Sequence, residues 1–126
     1  MTNRVFVYGT LMPGELRWPA LRPFAVGWEP VTARGRLWDT RMGYPAARFD
    51  GAHGDGQIPG FLITLDDRRL SGAVATLDRI EGEGVLYRRL TVTTSGGDAF
   101  SYEWLGSVEG LPELTEGWPR TNTVTP

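Results

Sequence analysis

The sequence predicts a small mixed α+β fold, and three observations carry that expectation. Short runs of β-branched and aromatic residues recur along the chain, as in Val5-Phe6-Val7-Tyr8 and Phe61-Leu62-Ile63-Thr64-Leu65. One stretch alone, residues 66–81, has the apolar spacing of an amphipathic helix. Two further apolar runs, 85–93 and 99–105, flank the turn Ser95-Gly96-Gly97-Asp98 and read as a hairpin. At 126 residues the chain is expected to form one domain over 1–126, its tail after about residue 106 being the least determined part.

Taken in order, the first strand is expected over 4–8. It stops at Gly9, and Pro13-Gly14 cannot continue it, so 9–14 should be an ordered loop. Successive backbone N–H groups there, with the Thr10 hydroxyl beside them, form the kind of nest that holds a carboxylate or an oxyanion; the plainer reading is a core strand ending in an ordinary turn. Residues 15–23, with Trp18 and two prolines, should be irregular with at most one helical turn. Residues 25–39 suggest one or two short strands interrupted at Pro30. Gly43-Tyr44-Pro45 turns the chain, 46–49 offers another short strand, 50–56 is a turn-rich loop, and 60–65 is a strand. The tail after Leu105 holds three prolines and should be extended and partly mobile at its end.

Composition excludes much chemistry. Hydrophobic residues make up 40% and charged residues 22%, as in an ordinary globular protein. A formal net charge of -2 and a pI near 5.4 give no basic field for a phosphate backbone, so no nucleic-acid partner is expected. No apolar run approaches the roughly 20 residues a membrane helix needs, and no signal-peptide pattern opens the chain, which makes a cytoplasmic location the default. Cysteine and lysine are both absent, which removes disulfides, thiolates, Schiff-base lysines and P-loop lysines. Asp50, His53 and Asp55 carry donor atoms, but their spacing matches no known cation loop and Gly-Asp turns need no metal. With one histidine in the chain, no metal and no organic cofactor are expected. The chemistry must come from carboxylates, hydroxyls, arginine and backbone.

Within the helix, Asp66 or Asp67 is a natural N-cap, Leu70, Ala73, Val74 and Leu77 form the apolar face, and Gly82 supplies the stop. Glu81 lies eleven steps beyond Leu70, within roughly 20° of it around the axis. If the helix persists that far, a carboxylate projects from the apolar stripe at the negative end of the helix dipole, and burial and dipole both raise its pKa toward that of a base working near neutrality. If the helix frays at Arg79, Glu81 swings into solvent. Tyr87 and Tyr102 could offer phenolic hydroxyls to a cavity, though a strand tyrosine is more often a core residue with a wet tip.

Two segments read together carry a resemblance. Tyr8-Gly9-Thr10-Leu11 follows the first strand; Leu77-Asp78-Arg79-Ile80-Glu81-Gly82 lies mid-chain and is followed by Tyr87-Arg88-Arg89. With Gly43-Tyr44-Pro45-Ala46 and the Gly60 strand between them, the order over about 4–104 resembles the γ-glutamylcyclotransferase-like (AIG2-like) family. The resemblance implies a closed or nearly closed mixed β-barrel with one main packed helix and a cavity at the barrel mouth. It also implies that Glu81 is the catalytic acid/base, that Tyr8, Gly9, Thr10 and Leu11 hold the substrate, and that Tyr87 and Tyr102 lie nearby. The expected reaction converts a small γ-glutamyl substrate into 5-oxoproline and a free amine or amino acid, without a cofactor. The chain departs from the family at Gly60-Phe61, where many members have Gly-Glu, so a second carboxylate near the site is missing. The alternative is a non-catalytic module that holds a small acidic metabolite on the same fold. A structural or interaction domain, the third reading, requires Glu81 in solvent and a filled barrel.

Overall fold

The first strand, β1 (Arg4–Val7), is the hub of the sheet: it pairs antiparallel with β5 (Gln57–Leu65) from Arg4↔Thr64 to Val7↔Phe61, and parallel with β7 (Gly97–Trp104) through Val5↔Phe100. The computed structural model describes residues 2–49 and 56–120; Asp50, His53 and Asp55 lie outside them. β2 (Ala25–Arg34) continues the sheet beyond β5, and β6 (Tyr87–Thr94) joins β2 through Ala33↔Thr94 and β7 along its full length. The order β1-β5-β2-β6-β7 closes into a barrel. A separate two-stranded sheet pairs β3 (Arg36–Asp39) with β4 (Pro45–Arg48). The mixed α+β barrel expected from the sequence is the observed fold.

Pro30 does not interrupt the second strand, contrary to the sequence reading. β2 runs ten residues through it, with Pro30 opposite Phe61. Beyond β5, β2 has one bridging pair, at Ala33, so its other edge is open around Pro30, where a proline is tolerated. The break comes at Gly35 instead, whose φ of 152° and close approach to the Arg48 carbonyl, 2.3 Å from where a Cβ would stand, exclude other residues. β5 likewise starts three residues before the expected Gly60. The hairpin of β6 and β7 turns on two residues, Ser95 and Gly96, between the paired Thr94 and Gly97.

Strand alternation divides the apolar side chains into two sets. Phe6, Val31, Ala33, Ile58, Leu62, Val92 and Ala99, drawn from all five barrel strands, fill the interior. Val5, Val7, Ile63, Leu65, Phe100, Tyr102 and Trp104 point the other way, against the helices. The principal helix α2 (Leu70–Glu81) lays Ala73 and Leu77, both fully buried, onto that outer set, with Leu70 and Val74 partly buried beside them. Burying a leucine contributes about 2 kcal/mol, so this face and not helix propensity holds α2 in place. A 3-10 turn, Asp67–Arg69, precedes α2, and the Asp66 side chain caps it by accepting from the Arg68 N–H at 3.0 Å. The segment 15–24 contains one α-turn, α1 (Trp18–Leu21), and one 3-10 turn, Arg22–Phe24.

The tail packs onto the body as far as residue 120. Asp39 N–H donates to Pro112 O (2.9 Å), Leu114 N–H donates to Leu37 O (2.7 Å), and Glu113 bridges Trp38, so the tail lines the edge of β3. Trp118 then reaches both apolar sets. No described helix is long and apolar enough to cross a membrane.

Candidate active site

The decisive local feature is how α2 ends. Gly82 N–H donates to Arg79 O (3.3 Å) and Glu83 N–H to Asp78 O (2.9 Å), with Gly82 in the left-handed conformation at φ 62°. This Schellman closure keeps Glu81 helical. The helix does not fray at Arg79, and Glu81, its last residue, lines a cavity of about 110 Å³. The third reading needs Glu81 in solvent and a filled barrel; the interior is filled by apolar side chains, but Glu81 is part-buried and lines a cavity at the barrel's end.

That cavity lies at the end of the barrel where β1 and β7 finish and β6 begins. It collects Tyr8, Gly9, Thr10, Leu11, Glu81, Tyr87 and Tyr102, the seven residues singled out in the sequence, from four separate segments. Gly9 serves there by close approach, not by an unusual φ: a Cβ at this position would stand 2.7 Å from Pro45 Cγ and 2.8 Å from its Cδ. Gly14, at φ 86°, makes the left-handed turn of the loop instead. The loop is closed by its own carbonyls. Met12 N–H donates to Gly9 O (3.1 Å), Glu15 N–H to Met12 O (2.9 Å) and Arg17 N–H to Thr10 O (2.8 Å). The N–H groups of Thr10 and Leu11 donate in none of these bonds, and both residues line the cavity.

The three tyrosines are core residues with anchored tips. Tyr8 donates its hydroxyl to Tyr102 O (2.5 Å), Tyr87 to Pro45 O, and Tyr102 to Asp78 Oδ1 (2.7 Å). Burial pushes the pKa of each upward, and the neighbouring Glu81 adds to the effect. They stay neutral phenols, and their oxygens remain free to accept. Glu81 itself has its pKa pushed up to about 7, because burial disfavours its charge more than the facing Arg17 guanidinium favours it. A carboxyl poised near 7 exchanges protons in both directions at neutral pH.

Arg17, Tyr44, Pro45, Ile80 and Leu86 also line the cavity and were not identified as site residues from the sequence. Tyr44 and Pro45 belong to a recognised turn, which gave no hint of what they face. Arg17 is one of 13 arginines in a segment without a motif, and only the path of the chain brings it opposite Glu81. Phe61, at the family's Gly-Glu position, faces a separate groove with Trp118 and Arg120. Among the described residues no cluster of acidic, histidine or cysteine side chains could hold a metal.

The barrel end carries one near-neutral carboxyl beside the Tyr8–Leu11 loop, and the cavity falls short of the roughly 300–1,000 Å³ of drug-sized pockets. The family model for gamma-glutamyl cyclotransferase, AIG2-like proteins matches residues 5–120, and the chain belongs to that family. Among solved structures it is similar to an AIG2-like protein from Mus musculus, with a TM-score of 0.70 at 17% identity, over 90% of this chain and 86% of that one. An uncharacterized protein from Pyrococcus horikoshii gives 0.61 at 23% identity over 90% and 86%. A uropathogenic E. coli-specific protein gives 0.65 at 19% identity over 92% and 90%. These likenesses show the fold. No curated protein matches the chain.

Proposed function

We propose that the protein is a γ-glutamyl cyclotransferase with Glu81 as its general acid/base. The observation that carries this reading is the position of Glu81: it ends α2 in the same cavity as the Tyr8–Leu11 loop, with a pKa near 7. Family membership supports the class of reaction.

Glu81 takes a proton from the substrate's α-ammonium. The freed nitrogen attacks the γ-carbonyl carbon, forming the new C–N bond of a five-membered ring. The Thr10 and Leu11 N–H groups face the oxygen on which charge develops. The bond to the leaving amine then breaks as Glu81 returns that proton to its nitrogen; the second proton, shed by the ring nitrogen, also passes to the amine, giving 5-oxoproline and the free amine as its ammonium. The small cavity holds the glutamyl head in the folded geometry that ring closure needs. No residue in this scheme requires a metal or an organic cofactor.

The test is mass-spectrometric detection of 5-oxoproline after incubation with a panel of γ-glutamyl amines and γ-glutamyl amino acids, using the wild type and Glu81→Gln. Product from wild type alone is expected. Unchanged turnover in Glu81→Gln would sink the role of Glu81, and absence of product from every panel member moves the reading to a binding module for a small acidic metabolite.

A further inference from the structure

We propose that Arg17 is the receptor for the α-carboxylate of the glutamyl group, a positioning and specificity residue of the site. This rests on the cyclotransferase reading above and settles which group the Thr10 and Leu11 N–H groups serve: with the carboxylate on Arg17, they are left for the developing oxyanion.

Arg17 is the one cation among the cavity-lining residues, and Glu81 the one acid. The two sense each other across the cavity, yet Arg17 makes no salt bridge among the described residues. The acid nearest to it in sequence, Glu15, accepts from Arg120 Nε at 2.8 Å. The base of Arg17 is held firmly: its N–H is bonded to Thr10 O, and its C=O accepts from Ala20 N–H at 3.0 Å as α1 begins. Arg17 is an exposed residue on a fixed backbone that lines the pocket, and it is therefore available for a ligand.

The substrate's connectivity supplies the second half of the argument. Its α-carboxylate and α-amine share one carbon, so an amine delivered to Glu81 brings the carboxylate into the same small volume. A cation facing Glu81 is where that carboxylate finds its counter-charge, and the planar guanidinium offers it two parallel donors.

The experiment measures binding of 5-oxoproline and of its carboxamide, 5-oxoprolinamide, by calorimetry to wild type, Arg17→Gln and Arg17→Lys. Wild type is expected to prefer the carboxylate by about 10- to 100-fold, the range of a charged hydrogen-bonded contact. Arg17→Gln loses the preference, and Arg17→Lys retains part of it. In turnover, Arg17→Gln raises KM with kcat less affected, and Arg17→Lys partly restores it. Retention of the preference in Arg17→Gln overturns the assignment and leaves the cyclotransferase reading intact. A wild type that makes no 5-oxoproline yet discriminates through Arg17 overturns the reaction and keeps the receptor. A wild type with neither property overturns both.

Discussion

The Tyr102 hydroxyl donates to Asp78 Oδ1 at 2.7 Å, and Arg89 holds the other oxygen of the same carboxylate. One acid on α2 thereby ties β7 and β6 to the helix, one turn before Glu81. The anchor and the Glu81 carboxyl are three residues apart, so the position of the one depends on the other.

Removing that anchor should loosen the site before it unfolds the protein. Asp78→Ala is expected to cost about 2 kcal/mol, from two lost bonds in a partly exposed setting, read by urea denaturation. Its 5-oxoproline production should fall more steeply than that of Tyr102→Phe, which removes one bond and keeps Arg89 in place. Equal activity of Asp78→Ala and wild type would show that Glu81 is positioned without Asp78.

Glu81 should make stability pH-dependent in a direction opposite to that of an ordinary paired acid. Its pKa is about 7 when folded and near 4.5 when unfolded. Between those values the folded state binds more protons, so stability falls as pH rises from about 4.5 to about 7 and levels off above. The full difference is about 3 kcal/mol at 1.36 kcal/mol per pH unit. Glu81→Gln is consequently expected to be more stable than wild type at pH 8, with the gap closing by pH 5, while activity is lost. Thermal unfolding of both proteins at these two pH values checks the sign.

Gly9→Ala places a methyl group 2.7 Å from the Pro45 ring, whose carbonyl also accepts from Tyr87. The loop and the β4 entrance must separate, at about 1–3 kcal/mol. The expected result is a folded protein with KM raised and kcat lowered. Thr10→Ala, which adds no bulk, should weaken substrate binding and leave stability near wild type.

Arg120→Ala removes the cation bonded at 2.8 Å to the buried Glu15 carboxylate, and also a donor to Pro13 O. A loss of about 2 kcal/mol is expected, with a rise in KM, because Glu15 and Pro13 belong to the segment that carries both the Gly9 loop and Arg17. Denaturant midpoints and steady-state kinetics on the same variant separate the two effects.

Much of this was legible along the chain because it is local. The apolar period of α2, the Gly82 stop, the first strand, the Gly9 loop and the 95–96 hairpin each depend on residues within one turn or one strand of one another. The seven residues that meet in the cavity were legible as candidates, since two short motifs carry most of them. Whether α2 would keep Glu81 helical was not, because it depended on the Schellman bonds of Gly82 and Glu83. Pro30 misled for a comparable reason: its cost depends on whether the other edge of its strand is paired, and no local pattern records that.

Sequence alone therefore determined the kinds of chemistry open to this protein, by lacking cysteine and lysine and holding one histidine, and it determined which elements form. The tertiary structure decided what those elements face. Closure of the barrel brings Tyr8, Tyr87 and Tyr102 to one end, Pro45 presses on Gly9, and Arg17 comes to stand across from Glu81. The pKa of Glu81 belongs to this second group, since burial and an opposing charge are properties of a place in space and arise only when distant segments meet.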